Sequence, residues 1–233
     1  MKNSAIIPEA RIEYKDKLIT RTLLMIGGGK APKPEWLSMT RFLCDGLWCI
    51  DHGIDAAMDA GLVPELLIGD GDSSSDTAWK WAEDNRAEIL RFNPEKDYTD
   101  TQLALDRAKG LDNNSFVILT GCFGGRLDHL YSTLFSFCHT DICGIMADSA
   151  ELVVPLKAGD SITLEPLKKP FAISLLPISE KASGVTISGV HWPLNNATLT
   201  QAMPYAISNE IEGHSISVKV DDGCVALYIC WQE

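Results

Sequence analysis

The sequence predicts an α/β domain with a mostly parallel sheet, followed by an all-β domain whose antiparallel strands form a sandwich or barrel. Two changes of rhythm carry this expectation. Between residues 22 and 147, short apolar runs alternate with longer segments of helical spacing. Such alternation means βαβ units. After Asp148 the helical spacing disappears, and short β-like runs follow one another between turn residues. Glycines at the ends of several runs mark where strands turn.

The elements are justified in order. Residues 22–26 are an apolar run ending in Gly27-Gly28-Gly29, and 34–43 is a helix opening on proline. Residues 66–68 are a short strand stopped by Gly69, 75–86 is helical, and 88–92 is a strand. Residues 99–109 form a helix, with Thr99 and Gln102 spaced as a capping box. The run 116–120 ends at Gly121. Helix 126–139 follows, with Leu127, Leu130, Tyr131, Leu134, Phe137 and Cys138 on one broad face. Residues 141–146 complete the parallel set. The second half offers strands at 152–154, 161–164, 171–175, 185–187, 215–220 and 224–229. The expected division is therefore 1–147 for the α/β domain, with 1–20 as an N-terminal extension, and 148–233 for the β domain.

Composition narrows the function classes. A chain of 233 residues with 45% hydrophobic and 22% charged residues can bury a substantial core. The net charge of −12 argues against nucleic acid, whose phosphates call for a basic surface. A small phosphorylated ligand stays compatible, because metal ions, helix N-termini and backbone amides can hold it. No apolar run reaches the roughly 20 residues of a membrane span, and the N-terminus lacks a secretory core. The expected address is the cytoplasm. The seven cysteines show no C-x-x-C spacing and read as small buried hydrophobes.

In an open parallel sheet, ligands bind at the carboxyl ends of the strands. Four such ends carry unusual residues. Gly27-Gly28-Gly29-Lys30 fits close approach of a phosphate and equally fits a plain tight turn. Gly69-Asp70-Gly71-Asp72-Ser73 places two carboxylates at i and i+2 directly after a buried run; it reads evenly as an Mg²⁺ site or an acidic turn. In Lys96-Asp97-Tyr98-Thr99-Asp100, the residue Asp100 opens a helix, where the dipole favours a carboxylate. With Asp97 it can also complete a metal site. In Gly121-Cys122-Phe123-Gly124-Gly125-Arg126-Leu127-Asp128-His129, a glycine-rich turn runs into a helix start. A cation there opposes the dipole, so Arg126 makes better sense facing an anion, with Asp128 to orient it. Acids for Mg²⁺, a glycine-rich helix start and an arginine together describe phosphoryl transfer from a nucleotide triphosphate.

Gly69-Asp70-Gly71-Asp72-Ser73, Asp97-Tyr98-Thr99-Asp100 and Gly124-Gly125-Arg126-Leu127-Asp128-His129, in this order, resemble the thiamine pyrophosphokinases. Gly71 departs from the family's Gly-Asp-Phe-Asp-Ser. Leu43-Cys44-Asp45-Gly46-Leu47 is similar to the family's Ala-Asp-Gly-Gly stretch, with Leu47 and Cys49 as departures. Ser188-Gly189-Val190-His191-Trp192-Pro193-Leu194 and Ile207-Ser208-Asn209-Glu210 resemble stretches of the thiamine pocket. The resemblance implies transfer of pyrophosphate from ATP to the hydroxyl of thiamine, giving thiamine diphosphate and AMP, by a homodimer whose interface forms the thiamine site. It implies Mg²⁺ at Asp70, Asp72 and Asp100. Asp97, Arg126 and Asp128 would meet ATP or the transferred group, and Gly28, Asp45, Gly46, Lys96 and Gly125 would contribute to nucleotide binding. Trp192, Ser208 and Asn209 would lie at thiamine, although Trp192 reads equally as β-domain core. The rival expectations are a pyrophosphokinase or nucleotide hydrolase with another acceptor, and a non-catalytic nucleotide or thiamine-diphosphate sensor.

Overall fold

The computed structural model describes residues 3–71, 74–93 and 97–232. They divide into two units, Thr20–Asp148 and Met1–Ile19 with Ser149–Glu233. The chain opens with strands β1 (Ser4–Ile7) and β2 (Ala10–Tyr14), an antiparallel hairpin with Ile7 opposite Ala10. The α/β unit follows as β3 (Arg21–Ile26), α1 (Pro34–Phe42), β4 (Gly46–Ile50), α2 (Gly53–Asp59), β5 (Leu66–Gly69), α3 (Asp76–Asp84), β6 (Glu88–Arg91), α4 (Asp100–Leu111), β7 (Ser115–Thr120), α5 (Leu127–His139) and β8 (Cys143–Ala147). The β unit closes with β9 (Glu151–Lys157), β10 (Ser161–Pro166), β11 (Ala172–Pro177), β12 (Lys181–Ser188), β13 (Leu194–Thr200), β14 (Ile216–Lys219) and β15 (Cys224–Cys230).

Every strand pair of the α/β unit is parallel, in the order β8-β7-β3-β4-β5-β6. Strands β4, β5 and β7 are buried along their whole length, as expected of strands covered on both faces. The edge strand β6 is the exception, with both ends exposed. The chain steps outward from β3 to β6, then returns to the other side of β3 to lay down β7. This reversal separates the helices into two layers: α2 touches α1 and α3, whereas α4 touches α5. It also creates a switch point between β3 and β7, where ligands of doubly wound sheets bind. The capping box read in the sequence is present. Thr99 Oγ1 accepts from the Gln102 amide at 3.3 Å, and Gln102 Oε1 accepts from the Thr99 amide at 2.9 Å.

The β unit contains two antiparallel sheets. One runs β1-β2-β10-β14-β12-β13 and the other β11-β15-β9. Here one expectation is corrected. Residues 1–20 are not an extension of the α/β domain. Strand β2 pairs with β10, placing Ile12 opposite Leu164, and residues 1–19 belong to the β unit. The physical reason lies in Ala10-Arg11-Ile12-Glu13-Tyr14, whose apolar side chains recur at period two and are all buried. The sequence reading also passed over β4, α2 and β13. All seven cysteines are free, with Cys44, Cys49 and Cys138 buried. Burial pushes the Cys44 thiol up to about 12.

Ile12 is fully buried, so Ile12→Ala is expected to lower unfolding stability by about 2–4 kcal/mol in urea titration. A loss below about 0.5 kcal/mol would mean that β2 is not part of the folded β unit.

Candidate active site

The carboxyl ends of β3 and β7 are locked together. Ile26 stands in register with Thr120. Just beyond them, the Gly27 amide donates to Thr120 O at 2.7 Å, and the Gly29 amide donates to Gly121 O at 2.6 Å. This close approach requires glycine. Gly121 has φ +66°, and a Cβ on it would stand 2.3 Å from Gly27 O. The glycines after the first strand therefore join the two sides of the switch point and form a wall of the site.

A cavity of about 720 Å³ opens at this place, with Gly28, Asp51, His52, Asp100, Arg126 and Asp128 in its lining. Asp51 leaves the end of β4 with φ +47°, a conformation that costs energy for a non-glycine residue and clusters at functional sites. Its amide donates to Ile68 O at 2.8 Å, fixing it to the end of β5. Its Oδ1 accepts from the Asp70 amide at 3.3 Å. Gly69 makes room for that carboxylate, because a Cβ there would lie 2.0 Å from Asp51 Oδ1.

The Asp51 carboxyl also shares a hydrogen bond with Asp100, the first residue of α4. Burial pushes Asp51 up to about 7, the Asp100 hydrogen bond and charge add to this, and the Asp70 charge adds to it while the Asp70 amide works against it. Among the described residues, no group of three or more His, Cys, Asp or Glu side chains stands at metal-ligand spacing.

Arg126 is the N-cap of α5. Its guanidinium is held bidentately by Asp128, with Nε donating to Oδ1 at 3.1 Å and Nη2 to Oδ2 at 2.6 Å. The Arg126 hydrogen bonds hold the Asp128 carboxyl below its usual range. Both side chains are exposed, so the pair acts as a fixed presenter of charge rather than a source of stability.

The structure thus brings Gly28, Asp100, Gly125, Arg126 and Asp128 to one cavity. Asp70 adjoins it through Asp51. Asp97 is exposed and stands outside the lining. Asp72 and Lys96 lie outside the described residues. Asp45 and Gly46 require correction. They stand at the amino end of β4, where Asp45 Oδ2 accepts from the Thr22 amide at 2.8 Å and Gly46 packs against Arg21 and Leu23. The acid–glycine stretch at the ligand-binding end is Asp51-His52-Gly53. The signal was the apolar run Leu47-Trp48-Cys49-Ile50 before it, which identifies β4 and hence its carboxyl end.

A second, smaller cavity of about 120 Å³ lies within the β unit, lined in part by Ile173, Leu175, Trp192, Tyr205, Ile207 and Asn209. Asn209 clamps the backbone of Trp192: its Oδ1 accepts from the Trp192 amide at 3.0 Å, and its Nδ2 donates to Trp192 O at 2.7 Å. The Trp192 ring is 57% exposed, which removes the core reading of this residue. Ser208 sits beside the clamp at φ +56°, its amide donating to Ser174 Oγ at 3.1 Å.

The raised Asp51 carboxyl has a consequence for stability. Between the ordinary 3.8 and about 7 the native Asp51 carboxyl binds more protons than it does in the unfolded chain, so stability falls as pH rises through that window. In metal-free buffer, Asp51→Asn is expected to flatten this fall and to raise the melting temperature above that of the unaltered protein at pH 8. Parallel melting curves for the two proteins from pH 4 to pH 8 would show that Asp51 is not held protonated.

Comparison with known proteins accords with both units. The model of the thiamin pyrophosphokinase catalytic domain matches residues 43–146, and that of the thiamin pyrophosphokinase vitamin B1 binding domain matches residues 155–225. The thiamine pyrophosphokinase of Bacillus subtilis (strain 168) is 30% identical over 197 residues, which is 82% of this chain and 90% of that protein. Among solved structures, a thiamine pyrophosphokinase from Bacillus subtilis superposes with a TM-score of 0.77 at 24% identity, covering 91% of this chain and 100% of that one. A thiamin pyrophosphokinase from Candida albicans gives 0.74 at 16% identity, covering 95% and 99%. At these identities the structural likeness speaks for the fold, and the sequence matches speak for descent. The chain belongs to the thiamine pyrophosphokinase family.

Proposed function

We propose that the switch-point cavity binds ATP with Mg²⁺ and that the β-sandwich cavity binds thiamine. The enzyme transfers the β,γ-pyrophosphoryl group of ATP to the thiamine hydroxyl. The observation that carries this assignment is the Asp51–Asp100 carboxyl pair, half-buried at the switch point in the cavity that Arg126 and Asp128 also line.

The donor set suits a hard divalent cation. Asp51, Asp70 and Asp100 would hold it, together with Asp72. Bound there, Mg²⁺ supplies neutralisation of the polyphosphate. Gly28 and Gly125 let phosphate oxygens approach the backbone. Arg126, fixed by Asp128, faces the charge that develops on the transferred group. The hydroxyl oxygen bonds to the β-phosphorus while the bond from that phosphorus to the α-bridging oxygen breaks. The hydroxyl loses its proton, and AMP leaves with the bridging oxygen.

Trp192 offers an aromatic face to a cationic, flat ligand, and Asn209 keeps its backbone in place. The exposed rim of Trp192, Tyr205 and Ile207 supports a homodimer in which a second copy covers this cavity. No helix among the described residues is long and apolar enough to cross a membrane.

Incubation with ATP, Mg²⁺ and thiamine should yield AMP and thiamine diphosphate in equal amounts. AMP formed without thiamine would point to a hydrolase, and binding without turnover to a sensor. Asp100→Asn is expected to lower kcat by at least about a hundredfold with the fold retained by circular dichroism. Full activity in that variant would sink the carboxylate assignment. Trp192→Ala should raise the KM for thiamine about tenfold, the worth of one aromatic–cation contact, and leave ATP affinity unchanged. An unaltered KM would remove Trp192 from the thiamine site.

A further inference from the structure

His52 lines the nucleotide cavity next to Asp51, yet nothing in the proposed reaction uses it. Its ring is half exposed, and its Cβ packs against Gly28, where a Cβ would come within 3.1 Å. Its Nδ1 lies 3.1 Å from Asp55 Oδ2. Asp55 is itself fixed from the other side. Its Oδ1 accepts from Ser75 Oγ at 2.5 Å, and its Oδ2 accepts from the Ser75 amide at 3.3 Å. Ser75 Oγ in turn accepts from the Ala78 amide at 3.1 Å, which makes it the cap of α3. The imidazole is thus oriented by a carboxylate that is anchored to the start of a helix, an arrangement that sets a ring's tautomer and direction. It is not a hydrolytic triad, because Ser75 lies beyond Asp55, away from the ring.

We propose that His52 is a substrate-contacting residue and Asp55 its positioning residue. With Nδ1 turned to Asp55, the ring's remaining polar atom, Nε2, is the one available to a ligand in the cavity. The chemistry that matches a single imidazole nitrogen is a hydroxyl group. The reaction brings two sources of one to this place, the ribose of the nucleotide and the alcohol of thiamine. Carboxylates are poor substitutes for this contact, since Asp51 is engaged by the Asp70 amide and by Asp100, and Asp128 is committed to Arg126. The inference rests on the pyrophosphoryl-transfer reading.

Calorimetry on the full chain tests it, with ATP, 2′-deoxy-ATP and 3′-deoxy-ATP in Mg²⁺ buffer and with thiamine and an analogue lacking its hydroxyl. If the ribose is the donor, His52→Ala weakens ATP binding about tenfold and erases the preference for ATP over one deoxy form. If the alcohol is the donor, ATP binding stays unchanged and the preference for thiamine over its analogue is lost instead. His52→Gln, which keeps an acceptor, restores part of either loss. Asp55→Ala reproduces the loss at smaller size. Ser75→Ala removes the α3 cap and one of the two bonds on Asp55, so it lowers the melting temperature and costs less of the preference than Asp55→Ala. Unchanged affinities and preferences in His52→Ala overturn the proposal while leaving the reaction assignment standing. If the unaltered protein binds neither ATP nor thiamine, both fall together.

Discussion

The parallel pairing of β3 with β7 is the constraint on which the site depends. These strands are adjacent in the sheet although more than half of the α/β unit separates them in sequence. Their register sets Ile26 beside Thr120, and from there the Gly27 and Gly29 amides reach across to Thr120 O and Gly121 O. The backbones come so close that side chains have no room. Two glycine-rich turns, remote in the chain, become one surface. A slip of one residue would exchange the two packed faces of each strand and part the two turns. The positions of Asp51 and Asp100 follow from the same frame, since β4 flanks β3 directly and α4 is the element that returns the chain to β7.

That frame explains why an acidic chain suits an anionic substrate. The carboxyls at the switch point do not simply add negative charge. Burial, with the Asp100 carboxyl beside it, raises the Asp51 carboxyl to about 7, so the cavity carries less negative charge than its residues suggest. Under the proposed reaction, the charge of the nucleotide's metal would offset these carboxylates. Arg126 adds one fixed positive charge whose direction is set by Asp128. The remainder of the −12 net charge lies elsewhere and governs solubility more than binding.

The parallel sheet was legible because its strands are mostly short apolar runs, several closed by glycine, and the two-layer return follows from the order of elements. Thr99 and Gln102 announced the start of α4 by spacing alone, and the structure contains both capping bonds. The failures share one cause. Where a strand is short and its neighbours are not strongly periodic, motif likeness took over from strand position. Asp45-Gly46 looked like the acid–glycine stretch, but it precedes β4, and the carboxyl end of that strand is Asp51. The first strands were lost for a similar reason. Residues 10–14 alternate clearly, but the partner that makes β2 a strand is β10, about 150 residues later. Pairing at that distance leaves no local trace.

Trp192 shows what a sequence cannot weigh. An aromatic followed by proline in a β-rich region reads equally as core or as ligand contact, because both uses call for the same side chain. The deciding quantity is exposure together with restraint. A core tryptophan is covered by neighbours and needs no clamp, whereas Trp192 is 57% exposed and both its amide and its carbonyl are held by the single side chain of Asn209. Holding a backbone so firmly while leaving its ring open to solvent costs conformational entropy without gaining burial. Such an arrangement makes physical sense when the ring's partner is a molecule from outside the fold. The same logic covers Asp51 with its left-handed backbone: strain kept in place by surrounding bonds signals a position selected for what it meets rather than for what it stabilises.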